Sequence, residues 1–428
     1  MSEATTTKPD ALSVATAVAS APVLEEESSG GTFRSLKHRD YRLLWIGTLF
    51  TSSGQWIQQI TVGWLTWELT SSAFLLGAVN GFRALPLLVF APLGGVAADR
   101  VDRKALMQMT QVGLLIASAI MAAIVFAGQL ELWHLFAFTF ITGIAWAFNN
   151  PVRQSVVVNL VPKHDLMNAL ALNSAGFNIT RIIGPSIGGF MIAHLGGGEN
   201  FTLQSFFYVG VIAMVAMMVI PALAARKTVV SVRQNLTDGF GYVMRHRQLR
   251  IQLALAFVPT VLAFPYMALM PIFAEDVLGR GAAGYGILSS AVGVGAVIGT
   301  LTLATLKNVQ RKGFLLLGAV MILGVSLILF SVSRSLELSC FILMVTGAAQ
   351  MAYLTTNQTI LQLTVDDEMR GRVMGIYMLS QGMMPLGGLI GGGLADATSA
   401  PTAVMVLGLG VCLMAATFFT FSRELREV

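Results

Sequence analysis

The stretch HRDYRLLW (38–45) stands directly before the first long apolar run of the chain, and HRQLRIQL (246–253) stands before another, 208 residues later. The shared pattern is His-Arg-x-x-Arg, which chance alone could supply twice in a basic protein. Its surroundings decide the matter. At the same offset Glu68 meets Asp276, and one residue further on Gly77 meets Gly286 and the loop DRVDRK (99–104) meets NVQRKG (308–313). At an offset of 203, NLVPKHDL (159–166) meets QLTVDDEM (362–369), and the match continues to GPSIGG (184–189) against residues 387–392. Three matches in one order indicate a duplicated chain, and parallel repeats of this kind are one architecture of membrane transporters. Both pentapeptides then anchor the starts of equivalent helices.

Composition names the solvent. Of the 428 residues, 55% are hydrophobic and 11% charged, with mean hydropathy +0.72; a soluble domain carries about 25% charged residues. A membrane-spanning helix needs ~20 apolar residues, and twelve runs qualify: 43–67, 75–98, 105–127, 132–158, 167–193, 202–224, 251–274, 283–306, 314–332, 338–362, 373–395 and 402–421. None alternates as a membrane β-strand does, and lipid leaves an open backbone without partners, so the spans are helices. The expected fold is an all-α membrane protein of twelve transmembrane helices in two pseudo-symmetric six-helix bundles.

The net charge of +5 could suggest a nucleic-acid partner, but the positions of the bases speak against one. With the N-terminus in the cytoplasm, 22 of the 27 Lys and Arg fall in cytoplasmic tails and loops and 2, Arg280 and Arg334, in outer loops. Such a split is a topology signal, placing both ends inside. Expected boundaries are a disordered cytoplasmic tail (1–32), an N-terminal bundle (33–224), a cytoplasmic linker (225–250), a C-terminal bundle (251–422) and a short cytoplasmic tail (423–428). The segment ALSVATAVASAP (11–22) imitates a signal peptide only weakly, being poorly apolar with one preceding Lys. In the linker, Leu236, Phe240, Val243 and Met244 share a helical face, as in an amphipathic helix on a membrane surface. Cys340 and Cys412 both lie in spans, so no disulfide framework or CxxC metal site exists.

The hairpin GGVAADRVDRKAL (94–106) resembles the G-x-x-x-D-R-x-x-R-K signature of the major facilitator superfamily through Gly95, Asp99, Arg100, Arg103 and Lys104. The resemblance implies a conformational latch between two halves; in the second copy Asn308 stands in place of Asp99. The stretches HRDYRLLW, NGFRALPLL (80–88), NNPVRQSVV (149–157), NALALNSAGFNITRIIGPSIGG (168–189) and LQLTVDDEMRGRVMGIY (361–377), with the prolines of span 7, look like the transmembrane-secretion-effector branch. That branch includes enterobactin-type siderophore exporters. The likeness runs from about residue 33 to 422. In span 5, Gly184, Pro185, Gly188 and Gly189 resemble the motif associated with exporters, although Thr180 stands where the fuller motif has glycine. Ser186 also completes a G-x-S-x-G pattern, but a nucleophile elbow needs a strand–turn–helix and a nearby His, whereas Ser186 lies within a helix.

Charges at mid-bilayer are costly and usually face a polar cavity. Arg181 lies near the middle of span 5, Arg83 less deep in span 2 and Arg153 near the cytoplasmic end of span 4, with no carboxylate at comparable depth. Arg181 contacts either substrate or a structural partner such as Asn178, Asn173 or a carbonyl. The superfamily lines its cavity with helices 1, 4, 7 and 10, which implies Gln55, Gln59, Trp146, Asn149, Asn150, Tyr266, Gln350, Tyr353 and Asn357 as further candidates. Interhelical hydrogen bonding is the competing role for these polar groups.

The function expected is a secondary active transporter, an exporter of a siderophore-like or other anionic or polar solute working by alternating access. Broad multidrug efflux by proton antiport is the alternative, and a non-transporting sensor or scaffold the more distant one. No phosphate-binding G-x-x-x-x-G-K-[ST] loop is present, and no clustered catalytic side chains point to an enzyme. The expected setting is the bacterial inner membrane, with a small-molecule substrate, no cofactor, no metal, no nucleic acid and a monomeric chain. Protons are the candidate coupling ion, with Glu68 and Asp99 the candidate carriers.

Overall fold

The computed structural model describes residues 31–86, 89–90, 93–94, 97, 101–220, 232–306 and 311–422. Among these residues all regular structure is helical. The first half of the chain forms α1 (Arg39–Thr70), α2 (Ala73–Phe82), α3 (Arg103–Phe126), α4 (Leu132–Leu160), α5 (Leu166–His194) and α6 (Gly197–Met217). A short amphipathic helix, α7 (Val232–Arg245), precedes the second half. That half forms α8 (Arg247–Leu262), α9 (Pro265–Ile272), α10 (Gly281–Thr305), α11 (Lys312–Val332), α12 (Leu336–Thr364), α13 (Asp367–Gln381), α14 (Met384–Ala397) and α15 (Ala400–Phe421).

Nine helical stretches among the described residues are long and apolar enough to cross a membrane. Two further helices, α1 and α5, have the length, at 32 and 29 residues. Their glycines, amides and, in α5, Arg181 dilute the apolar average because these helices face other helices. The sequence runs over 251–274 and 373–395 are each broken in two. Span 7 bends after Leu262, where Pro265 cannot continue the backbone hydrogen bonds, and a π-turn at Phe273–Val277 ends it. The other breaks at Gly382–Met383, with a proline again in the first turn of α14. Side chains such as Ile116 and Ile120 of α3, Phe206 of α6, Leu329 of α11 and Leu413 of α15 are left exposed, as lipid-facing residues should be.

Within the first half α1 packs on α5 and α6, and α3 on α4 and α6; within the second, α12 packs on α10 and α11, and α11 on α15. The halves meet along two seams, α2 on α14 and α5 on α10. Both are backbone-to-backbone contacts. A Cβ on Gly77 would collide with the carbonyl of Gly388, and one on Gly392 with that of Ala73. Across the other seam, a Cβ on Gly286 would collide with the carbonyl of Pro185, and one on Gly189 with that of Ala282. The residues of these contacts are related by the same offsets of 209 and 203 that relate the repeated motifs in the sequence.

The rim at which α1 begins is basic. There Asp165, 3% exposed, holds the segment before α1: His38 Nε2 lies 2.8 Å from its Oδ2, and Arg34 donates to its Oδ1. Ser35 Oγ donates to the Asp165 carbonyl at 3.0 Å, and the Ser35 N–H to Asn168 Oδ1 at 3.0 Å. In the second half His246 bonds back to the Tyr242 carbonyl, and α7 is tied instead through Tyr242 to Asp366 at 2.8 Å and Arg372 to Asp238 at 3.0 Å. The segment before α1 and the helix before α8 are thus each tied to the matched regions of their halves, through different pairs. On α7, Val243 is buried against the second half while Phe240 and Met244 are exposed; the Leu236 side chain lies outside the described residues.

The hydrogen bond with His38, supported by Arg34 and His164, holds the Asp165 carboxyl below its ordinary range. A carboxylate with a depressed folded-state pKa stabilises the fold above the unfolded value and loses that contribution as pH falls through the folded one. Asp165→Asn is therefore expected to melt below wild type at pH 7, with the gap closing as pH falls below roughly 3.9, the ordinary Asp value; thermal unfolding of the purified protein across pH checks it.

Candidate functional site

Between the two seams lies a small cavity to which both halves contribute. Trp56, Gln59 and Ile60 come from α1, Arg181 and Pro185 from α5, Met267 and Met270 from α9, and Ser289 and Val292 from α10. The local sequence explains the placement. Pro185 and its flanking glycines let α5 lie against α10, where Ser186 Oγ is 2.7 Å from Ser290 Oγ and Ser290 Oγ donates to the Ile182 carbonyl at 2.5 Å. Arg181, one turn before Pro185 on the same helix face, lines the space beside α1.

Arg181 is 8% exposed and sits over the Trp56 ring, 5.8 Å from its centroid. Arg83 makes a parallel arrangement over Trp146 at 5.4 Å. Among the described residues no carboxylate lies within ion-pair distance of Arg83, Arg153 or Arg181. Asn178 donates to the Ser174 carbonyl of its own helix, so the partner of Arg181 is an aromatic face rather than an amide. A buried guanidinium held by a ring keeps its N–H edge free to meet an anion or a hydrogen-bonding solute. Among the described residues the buried Gln55 Oε1 and Trp56 Nε1 have no hydrogen-bond partner, which adds an acceptor and a donor on the same stretch of α1.

Other polar candidates have partners within the protein. Tyr353 Oη donates to the Leu255 carbonyl at 2.9 Å, and Asn357 Nδ2 to the Gln252 carbonyl at 3.4 Å, tying α12 to α8. Tyr266 Oη donates to Gln350 Oε1 at 3.3 Å, both buried. Asn149 donates to Thr110 Oγ1 at 2.9 Å, and Asn150 accepts from Gln154 at 3.3 Å. Glu68 is exposed near the end of α1. Gly95, Asp99 and Arg100 lie outside the described residues. Arg103 opens α3, and Lys104 Nζ donates to the carbonyls of Ala216 and Met218 at 2.7 and 2.8 Å, capping α6 in its own half. In α5, Gly184 lies against Trp56 and Gly188 against Ile57. Trp56, Met267, Met270 and Ser289 were not among the candidates read from sequence; only the QW step of GQWIQQ (54–59), a ring inside a run of amides, signals the first of them.

The side chains at this site give two outcomes that can be separated. Tyr353→Phe removes a buried interhelical bond, at about 1 kcal/mol. It should lower the melting temperature by a few degrees while leaving transport per folded molecule intact. Gln59→Ala, at the cavity wall, should reduce transport with little change in melting; paired melting and uptake or efflux assays check both.

Comparison with known proteins places this arrangement. The sequence profile of transmembrane secretion effectors matches residues 30–428. The chain is 26% identical to the staphyloferrin A transporter of Staphylococcus aureus, over 87% of this chain and 94% of that one. It is 25% identical to macrolide efflux protein A of Streptococcus pyogenes, over 84% and 91%. A crystal structure of a POT family transporter in complex with 5-aminolevulinic acid superposes with a TM-score of 0.72 at 11% identity, covering 90% of this chain and 96% of that one; at that identity it speaks for the fold. Two helical halves joined along glycine seams around a shared cavity, with a family profile running almost end to end, leave one assignment: the chain belongs to the transmembrane secretion effector family of major facilitator transporters.

Proposed function

We propose that the protein exports a small anionic or strongly hydrogen-bonding organic solute, siderophore-like in character, by alternating access of the bundles 33–224 and 251–422. The observation that carries this reading is Arg181, buried at the cavity wall on Trp56 with no carboxylate within ion-pair distance among the described residues. A cation placed at such depth is costly and is ordinarily retained for a task. A negative or acceptor-rich solute meets it favourably, and Gln59, Ser289 and the free Trp56 N–H supply further polar contacts. The α2–α14 seam holds the halves together near the rim opposite the basic one, where Ala73 and Gly77 meet Gly392 and Gly388. In the proposed setting the basic rim faces the cytoplasm of a bacterium, the chain lies in the inner membrane with both termini inside, and it acts as a monomer.

Broad drug efflux is the second reading. Trp56, Met267 and Met270 form an adaptable apolar wall, and one relative is named for macrolide efflux. Charge reversal separates the two. Arg181→Glu should cut export of an anionic substrate by about tenfold or more, as loss of a buried charge-assisted bond implies, while export of a cationic dye holds or rises. Equal loss for both, in a variant that folds normally, would count against charge selection by Arg181.

Proton antiport is the proposed coupling, with Glu68 and Asp99 as its carriers. Glu68→Gln combined with Asp99→Asn should abolish pH-driven transport in vesicles; undiminished transport by the double variant would remove those groups from the proton route.

A further inference from the structure

We propose that Asp396 is the latch of the gate at the rim where α14 ends, a carboxylate that holds the two halves together there and must let go each time that rim opens. The inference rests on the alternating-access reading.

Asp396 is the penultimate residue of α14, and it reaches across the seam to the start of α2. Its Oδ1 accepts from the Ala73 N–H at 2.6 Å, and its Oδ2 from the Ser72 hydroxyl at 2.8 Å and the Phe74 N–H at 3.1 Å. Ser72 is the N-cap of α2, its oxygen also accepting from the Leu75 N–H at 3.3 Å. First-turn N–H groups have no partner within their own helix, and here a residue more than 300 positions away supplies it.

The charge is on the unfavourable end of its own helix. A carboxylate in the last turn meets the negative end of the helix dipole, whereas the start of α2 is positive. Closure moves Asp396 from its own α14 end to the matching end of another helix; opening reverses that. The contact is also steep in distance. Gly392 and Gly388 bring α14 to backbone contact with Ala73 and Gly77, so a separation of a few ångströms breaks all three bonds together.

The other seam lacks this device. By the same offsets that match the two glycine contacts, Ala193 takes the place of Asp396 and Gly281 that of Ser72. The α5–α10 seam carries its polar tie deeper, at Ser186 and Ser290. The carboxylate is therefore an addition to one of two matched seams rather than a requirement of packing at both, and a purely structural contact would be expected in both places.

The test places one spin label on the α1–α2 turn and one on the α14–α15 connection of the full chain, with Cys340 and Cys412 first replaced by serine, and reads the distance distribution by pulsed electron resonance. Asp396→Ala should raise the ratio of long to short distances about five- to tenfold, the scale of an exposed charged bond lost at a helix end. Asp396→Asn should shift it the same way by less, because its carbonyl can keep the Ser72 and Phe74 bonds while the charge and the Ala73 bond are lost. Should either fail to fold, Ser72→Ala removes one donor from the opposite side and should shift the ratio the same way by about two- to threefold. A long-distance population present in wild type that none of these variants increases overturns the latch. If wild type and variants alike show no long-distance population under any condition, the alternating-access reading itself fails, and the latch with it.

Discussion

The structure depends on helices that touch through their backbones. In lipid no hydrophobic force draws one helix to another, because the tails are as apolar as the side chains; association comes from close packing and a few hydrogen bonds. Gly77, Gly388 and Gly392 on one seam, and Gly189 and Gly286 on the other, remove the Cβ that would hold the helices apart. The surfaces left behind are smooth and carry few directional bonds. Such a contact is tight while formed and can part without tearing a hydrophobic core, which is the property a gate between two halves requires.

The same constraint explains the breaks in the second half. Where α8 gives way to α9 and α13 to α14, the breaks lie beside the segments that face the first half, and each is followed by a proline. Backbone groups freed by a bend are tolerated at membrane depth only where protein or a cavity can meet them. Here the cavity-lining Met267 and Met270 follow directly on the first break, and Gly388 and Gly392 of the seam follow on the second. Irregularity is thus confined to the surfaces that work against the other half.

Most of the architecture was legible because its determinants are local and periodic. The offsets that align Gly77 with Gly286 and Gly189 with Gly392 reappear as equivalent contacts, and the unpaired depth of Arg181 marks a cavity wall. Other features were not legible for physical reasons. Hydropathy averages over a run, so it cannot see that 373–395 changes helix partway, and it under-reads α1 and α5, whose polar residues face neighbouring helices. Tyr353 and Asn357 share a helical face by spacing, but spacing does not say which way the face looks; theirs turns to the α8 backbone. Met267, Met270 and Ser289 line the cavity with residue types equally at home against lipid or in a core. Asp396 falls just past the run 373–395, and nothing local points to it because its partners lie across the seam on α2.

A symmetric scaffold here carries asymmetric chemistry. The three arginines within the spans, Arg83, Arg153 and Arg181, all belong to the first half, while the second half faces the cavity with Met267, Met270, Ser289 and Val292. Among the described residues none of these three cations pairs with a carboxylate of the other half, so rocking separates no buried ion pair of theirs. Breaking a buried ion pair costs about 3–5 kcal/mol, a barrier that each cycle would otherwise meet. Holding Arg181 by the Trp56 ring extends the same economy to the ligand. A cation–π contact is worth roughly 0.5–2 kcal/mol and engages the face of the guanidinium, whereas a carboxylate would occupy its N–H edge. An anionic solute of the kind proposed would add to the arginine without first displacing a partner, and on leaving would uncover no unpaired protein carboxylate.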